Sequence, residues 1–165
     1  MLPHIKHILY ATDLSDNARQ VLGYAVLLAN SLEASLTVIH VIEKTSPKAE
    51  LMIQAFLGYR SKEEMQKQSR DKLSIEIKAE LKKMCDELGC ELPSCRFTLS
   101  NIIVEFGSPG EILLGHAESG SYDFIVAGRY DYGLIDWLFM GHSAKGMLRH
   151  SPIPLLQIPF KSRDM

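Results

Sequence analysis

The chain has 165 residues, enough for one domain with its own core and too few to expect two. Hydrophobic residues make up 46% and charged residues 23%, the balance of a soluble globular protein rather than a disordered one. A net charge of −2 supplies no basic field for nucleic acid or an anionic bilayer, and no apolar run reaches the roughly 20 residues of a membrane span. The opening "MLPHIKHILYATD" has neither the charged leader nor the cleavage site of a secretory signal, so a cytoplasmic location is expected. Cys85, Cys90 and Cys95 form no C-x-x-C pair and are odd in number, which points to free thiols rather than a disulfide frame or a zinc site.

In chain order, "HILYAT" (His7–Thr12) is a short apolar strand stopped by the turn chemistry of "DLSDNA". Ala18, Val21, Leu22, Ala25, Leu28, Ala29 and Leu32 then recur at helical spacing, which predicts a helix over Ser15–Leu32. "SLTVIHVIE" (Ser35–Glu43) is nearly continuous in apolar residues, as in a parallel strand covered on both faces. A long helical insertion follows at about 44–89. Leu73, Ile77, Leu81, Met84 and Leu88 mark one helix face there, with Gly89 as the expected stop. The earlier part, to Arg70, has weaker apolar spacing and is read as helical or mobile.

"NIIVEFG" (Asn101–Gly107) is a third strand, and "SPGEILLGHAE" begins a helix at Ser108 with Pro109 in its first position. "YDFIVAG" (Tyr122–Gly128) is a fourth strand, Gly141–His150 a last helix, and "PLLQIPF" a fifth strand whose Pro154 and Pro159 suit an edge. Strands alternating with helices call for one α/β domain, a doubly wound parallel sheet with helices on both faces. Ligands of such sheets bind at the carboxyl ends of the strands, where the strand order reverses. The turns at Thr12–Asp13, at Phe106–Gly107–Ser108 and from Gly128 onward are therefore the places to look.

Five segments in order, "HILYATDLSDNARQVLGYAVLLA", "LTVIHVIE", "FGSPGEILLGHAE", "YDFIVAGRYDYG" and "GHSAKGMLRHSPIPLLQIP", together resemble the universal stress protein family. The resemblance implies strand order 3-2-1-4-5, a homodimer through the last strand and, in one branch, an ATP or AMP site with at most weak ATPase activity. Carried onto this sequence, the site would draw on Ala11, Thr12, Asp13, Val41, Gly107, Gly128, Arg129, Asp131, Gly133, Gly141, His142 and Ser143. Asp13 matches a position on the adenine–ribose side, and Val41 one whose backbone meets adenine.

The phosphate loop of that branch reads G-x-x-G, nine residues, then Gly and a hydroxyl residue. Here Gly128 and Gly141 keep the frame, Asp131 replaces the second glycine, and His142 stands in the hydroxyl position with Ser143 next to it. A carboxylate facing phosphate is repulsive, by about 4 kcal/mol for unit charges roughly 4 Å apart at an effective dielectric of about 20. Mg²⁺ reverses that sign, because a hard cation accepts carboxylate and phosphate oxygens together. His142 and Arg129 can donate to phosphate, and Gly133 adds backbone freedom. The alternative is that Asp131 caps a turn and Arg129 is a solvated charge.

Enzymatic readings find less support. The turn "TDLSDNA" holds no glycine for a pyrophosphate loop, and no G-x-x-x-x-G-K-[ST] run is present. A phosphorelay receiver needs an Asp at the end of its third strand, where this chain has Phe106–Gly107. Two functions remain: a dimeric sensor of an adenine nucleotide, and a nucleotide-free dimeric interaction module of the same fold. His40, inside an apolar strand, is read as a satisfied core histidine, and His116 and His150 are given no chemistry.

Overall fold

The computed structural model describes residues 1–43, 46–129 and 151–159. The expected last helix over Gly141–His150 lies outside the described residues. So do the loop positions Asp131, Gly133, Gly141, His142 and Ser143.

Five strands form one parallel sheet: β1 (His7–Thr12), β2 (Ser35–Ile42), β3 (Thr98–Phe106), β4 (Phe124–Arg129) and β5 (Leu155–Pro159). Their order is β3-β2-β1-β4-β5. β1 is therefore central, and its side chains alternate between two apolar layers. Ile8 and Tyr10 join one cluster, while Leu9 and Ala11 join the other. That two-sided burial is why the strand reads as an unbroken apolar run.

The first layer is covered by α1 (Ala18–Leu32) and α4 (Arg70–Cys90), with α2 (Pro47–Leu57) and α3 (Lys62–Gln66) beside them. The second is covered by α5 (Pro109–Glu118), through Leu113 and Ala117. Helix α1 buries Ala18, Val21, Leu22, Ala25, Val26 and Ala29, and its three small alanines let it lie close on the strands. Helix α4 buries Ile77, Leu81 and Cys85 at four-residue steps, with Leu73, Met84 and Leu88 packed around them. Ser46, Ser61 and Ser69 each accept a hydrogen bond from the backbone N–H three residues on, capping α2, α3 and α4 in turn. Such a cap is worth about 1 kcal/mol. Gly58 ends α2 in the left-handed region at φ 75°, where the missing side chain makes the stop easy.

Several boundaries differ from the sequence reading. Helix α1 begins at Ala18 rather than Ser15, because residues 13–15 form a turn of their own. Helix α4 passes through Gly89 to Cys90 rather than stopping at the glycine, and the Phe97 ring lies at ordinary contact distance from it. Strand β3 starts at Thr98, three residues earlier than expected, since its first residues are largely exposed and carry no apolar signal. Strand β4 starts at Phe124 because Asp123 is spent on the N–H groups of Lys6 and His7. Ile158 is only 5% exposed and packs in the first core layer. Leu155 packs against the second layer, which leaves Leu156 as the exposed leucine of β5.

Helix α4 is thus part of the core. Leu81→Ala should destabilise the protein by about 2–5 kcal/mol. Ile75→Ala, on the same helix but exposed, should stay within about 0.5 kcal/mol of the wild type. Urea unfolding of both variants checks the contrast.

Candidate functional site

The strand order reverses between β1 and β4, and a crevice opens there at the carboxyl ends. Register shows how. β1 pairs with β4 only as far as Ala11↔Ala127 and with β2 as far as Thr12↔His40. Its neighbours run on: β2 pairs with β3 to Ile42↔Phe106, and β4 pairs with β5 to Arg129↔Pro159. The central strand therefore stops short, leaving a shallow depression lined by Tyr10, Ala11, Thr12, Asp13, Ala18, Val21 and Gly128.

The stop is built from side chains. The Leu14 N–H donates to Thr12 Oγ1 at 3.1 Å, and the Ser15 N–H donates to Asp13 Oδ1 at 2.9 Å. These are turns in which a side-chain oxygen replaces a strand partner. Leu14 sits at φ 61°, a left-handed conformation costing a leucine about 1–2 kcal/mol. Its side chain, 3% exposed, packs in the first core layer and holds it there. The Ala18 N–H donates to Ser15 O at 2.9 Å as α1 begins. Asp13 is half-buried and serves the turn rather than capping α1, whose N-cap is Asn17.

The turn also decides what β2 presents. Ile42 O accepts from the Gly107 N–H at 3.0 Å, on the β3 side. Main-chain groups of successive strand residues point to opposite sides, so those of Val41 point toward β1. There the Leu14 N–H, which a continuing β1 would have offered, is already bound to Thr12 Oγ1. The Val41 carbonyl is thus directed at the gap where β1 has ended, while its side chain is buried against the second layer. Gly107, at φ 152°, lies two strands from β1 and does not line the depression. A Cβ there would meet Ile112 Cδ1 at 2.9 Å.

Four polar side chains are buried among the described residues, and three of them, Thr12, Ser15 and His40, belong to this end of β1 and β2. His40 Nδ1 lies 2.8 Å from Thr12 O. A carbonyl only accepts, so this nitrogen carries the proton and donates. Nε2 is then an acceptor, and it has no partner among the described residues, as is true of Ser15 Oγ. Burial holds the imidazole below its ordinary value, partly offset by the Thr12 hydrogen bond and the Asp13 charge. Tyr10 donates its phenol to Ala18 O at 3.1 Å, tying β1 to the first turn of α1, and burial pushes that phenol well above its usual range.

The structure thus brings Ala11, Thr12, Asp13 and Gly128 into one depression, with the main chain of Val41 beside it. Gly107 stands apart, and Arg129 closes the register of β4 with Pro159. Sequence reasoning missed Leu14, whose role is a backbone angle. It read His40 as a satisfied core histidine; among the described residues one ring nitrogen has a partner and the other has none. His116, given no chemistry, pairs with Glu105 at 2.8 Å. Cys85, Cys90 and Cys95 are free thiols, and burial pushes Cys85 up to about 11.

The chain matches the sequence model of the universal stress protein family over residues 4–159. It is 26% identical over 161 residues to universal stress protein MJ0577 of Methanocaldococcus jannaschii, a match covering 95% of this chain and 96% of that protein. Among solved structures, universal stress protein UspA from Lactobacillus plantarum gives a TM-score of 0.63 at 17% identity, over 95% of this chain and 99% of its own. A universal stress protein in complex with cAMP gives 0.59 at 16% identity, over 96% and 100%. The two structural likenesses speak for the fold.

The buried imidazole carries a sign for pH. Its neutral form is favoured in the folded state, so its contribution to stability is complete above the unfolded value of about 6.5 and is lost as pH falls below it. Urea unfolding at pH 7.5, 6 and 5 should show the wild type losing stability relative to His40→Leu as the solution is acidified.

Proposed function

Because this chain belongs to the universal stress protein family, we propose that it binds an adenine nucleotide across the carboxyl ends of β1, β2 and β4. The observation that carries the reading is the early end of β1. Among the described residues it leaves the Val41 carbonyl with no partner from β1, next to the depression that holds Asp13 and Gly128. A free carbonyl accepts from the exocyclic amine of adenine, and a carboxylate accepts from ribose hydroxyls. A relative solved with cAMP supports this choice of ligand class.

Phosphates would fall to the segment from Gly128 through Ser143. Gly128 and Gly141 supply main-chain N–H groups, and Arg129, His142 and Ser143 supply donors. Asp131 sets a condition. Its charge repels bare phosphate, so ATP binding would depend on Mg²⁺ and AMP binding less so. In this reading the protein is a cytoplasmic sensor whose bound nucleotide alters its surface. The second reading, a nucleotide-free dimeric module, is favoured by Asp131 and His142 standing where the family pattern has Gly and a hydroxyl residue.

Isothermal calorimetry with ATP, with and without Mg²⁺, tests the site. Asp131→Gly should bind ATP about tenfold more tightly than the wild type, if relief of repulsion is worth only about 1.4 kcal/mol, and should need less Mg²⁺. No uptake by either protein would leave the nucleotide-free reading.

The dimer is proposed through β5. Among the described residues it is the edge strand of the sheet, with its outer main-chain groups unpaired, and Leu156 is exposed on it. Two copies pair across a two-fold axis with little side-chain rearrangement, because Leu155 and Ile158 are already held by the protein's own core. Light scattering at micromolar concentration should report twice the chain mass, and Leu156→Lys should shift it toward one chain.

A further inference from the structure

His40 links the two strands that the nucleotide would lie across. It stands directly before Val41 on β2, and its Nδ1 reaches the main-chain oxygen of Thr12, the last residue of β1 and the neighbour of Asp13. The ring is 5% exposed, and its second nitrogen is unpartnered among the described residues. An apolar residue would suit this layer better for stability alone, because a buried polar atom without a partner is destabilising. The ring is retained at the point where the strand must stop and the chain must turn with Leu14 in the left-handed region.

We propose that His40 is a positioning residue for the nucleotide site, an inference that rests on the adenine-nucleotide reading above. Its Nδ1–H fixes the Thr12 carbonyl and so sets the Thr12–Ser15 turn against the end of β2. Asp13 is thereby held at a defined distance from the Val41 main chain. The bond joins the residue before the ribose contact to the residue before the adenine contact. Small motions of one strand end relative to the other would separate the two contacts, and preorganisation of such groups is worth more than their contact area suggests.

Two variants separate this role from a merely structural one. His40→Asn places an amide N–H close to where Nδ1–H stands and keeps the bond to Thr12. His40→Leu fills the layer without a donor. Calorimetry with ATP and Mg²⁺ should find the asparagine variant within about threefold of the wild type and the leucine variant at least tenfold weaker. The thermal midpoint of the leucine variant should match or exceed that of the wild type. Nitrogen NMR of the imidazole should show the proton on Nδ1, and the Leu14 and Ser15 amide signals should move in the leucine variant without ligand.

Equal affinity in all three proteins, or an asparagine variant as weak as the leucine one, would overturn the inference while leaving the nucleotide reading intact. A proton on Nε2 would overturn it as well, and that result needs no variant to fold. If the wild type takes up no nucleotide, the proposed function falls first and takes this inference with it.

Discussion

The end of β1 at Thr12 is the constraint on which the rest of the site depends. A central strand buried on both faces would ordinarily run as far as its neighbours, because each further residue adds hydrogen bonds to the neighbour on one side or the other. Here β2 and β4 continue while β1 turns away, and the Thr12 and Asp13 side chains satisfy the N–H groups that the ladders would have taken. The gap this leaves is the crevice at which the strand order reverses, so the topology of the sheet and the chemistry of four residues converge on one place.

That arrangement is costly, and the core offsets the cost. Leu14 occupies a left-handed conformation, and three polar side chains are buried around it. What holds them is the layer beneath: the Leu14 side chain in the first cluster, the Tyr10 phenol on the first turn of α1, and the ring of His40 against Thr12. Strain and incompletely satisfied polar atoms persist where the surroundings over-determine them, and such places are common at ligand sites. Ser15 Oγ and His40 Nε2 are two buried atoms here without a partner among the described residues.

Helices α2, α3 and α4 answer a different need. Strands β2 and β3 are neighbours and parallel, so the chain must return to the same end of the sheet, and α4 makes that crossing against the first core layer. Three serine caps and the left-handed Gly58 divide the segment into separate helices. Its polar composition is that of helices buried along one stripe only. The pairs Lys62–Glu50 and Tyr59–Glu76 then tie these helices to one another at the surface.

The apolar runs of β1 and β2 and the helical spacing of α1 were legible in the sequence because burial on two faces, or on one stripe, is written directly into residue type. The resemblance of five ordered segments carried the strand order and the candidate positions at Asp13, Val41 and Gly128. Ends of elements were less legible. The start of β3 is largely exposed, Gly89 lies inside a helix rather than at its end, and the helix expected from Ser15 begins only at Ala18 because residues 13–15 form a turn. Sequence by itself determined the α/β class and the central buried strands, and it nominated Asp13, Val41 and Gly128 as candidates. Tertiary structure alone decided that β1 stops before its neighbours, that the Val41 carbonyl is left facing the gap, and that His40 closes onto Thr12. Those are relations between segments about 28 residues apart, set by register and hydrogen bonding, which no local pattern of residue types encodes.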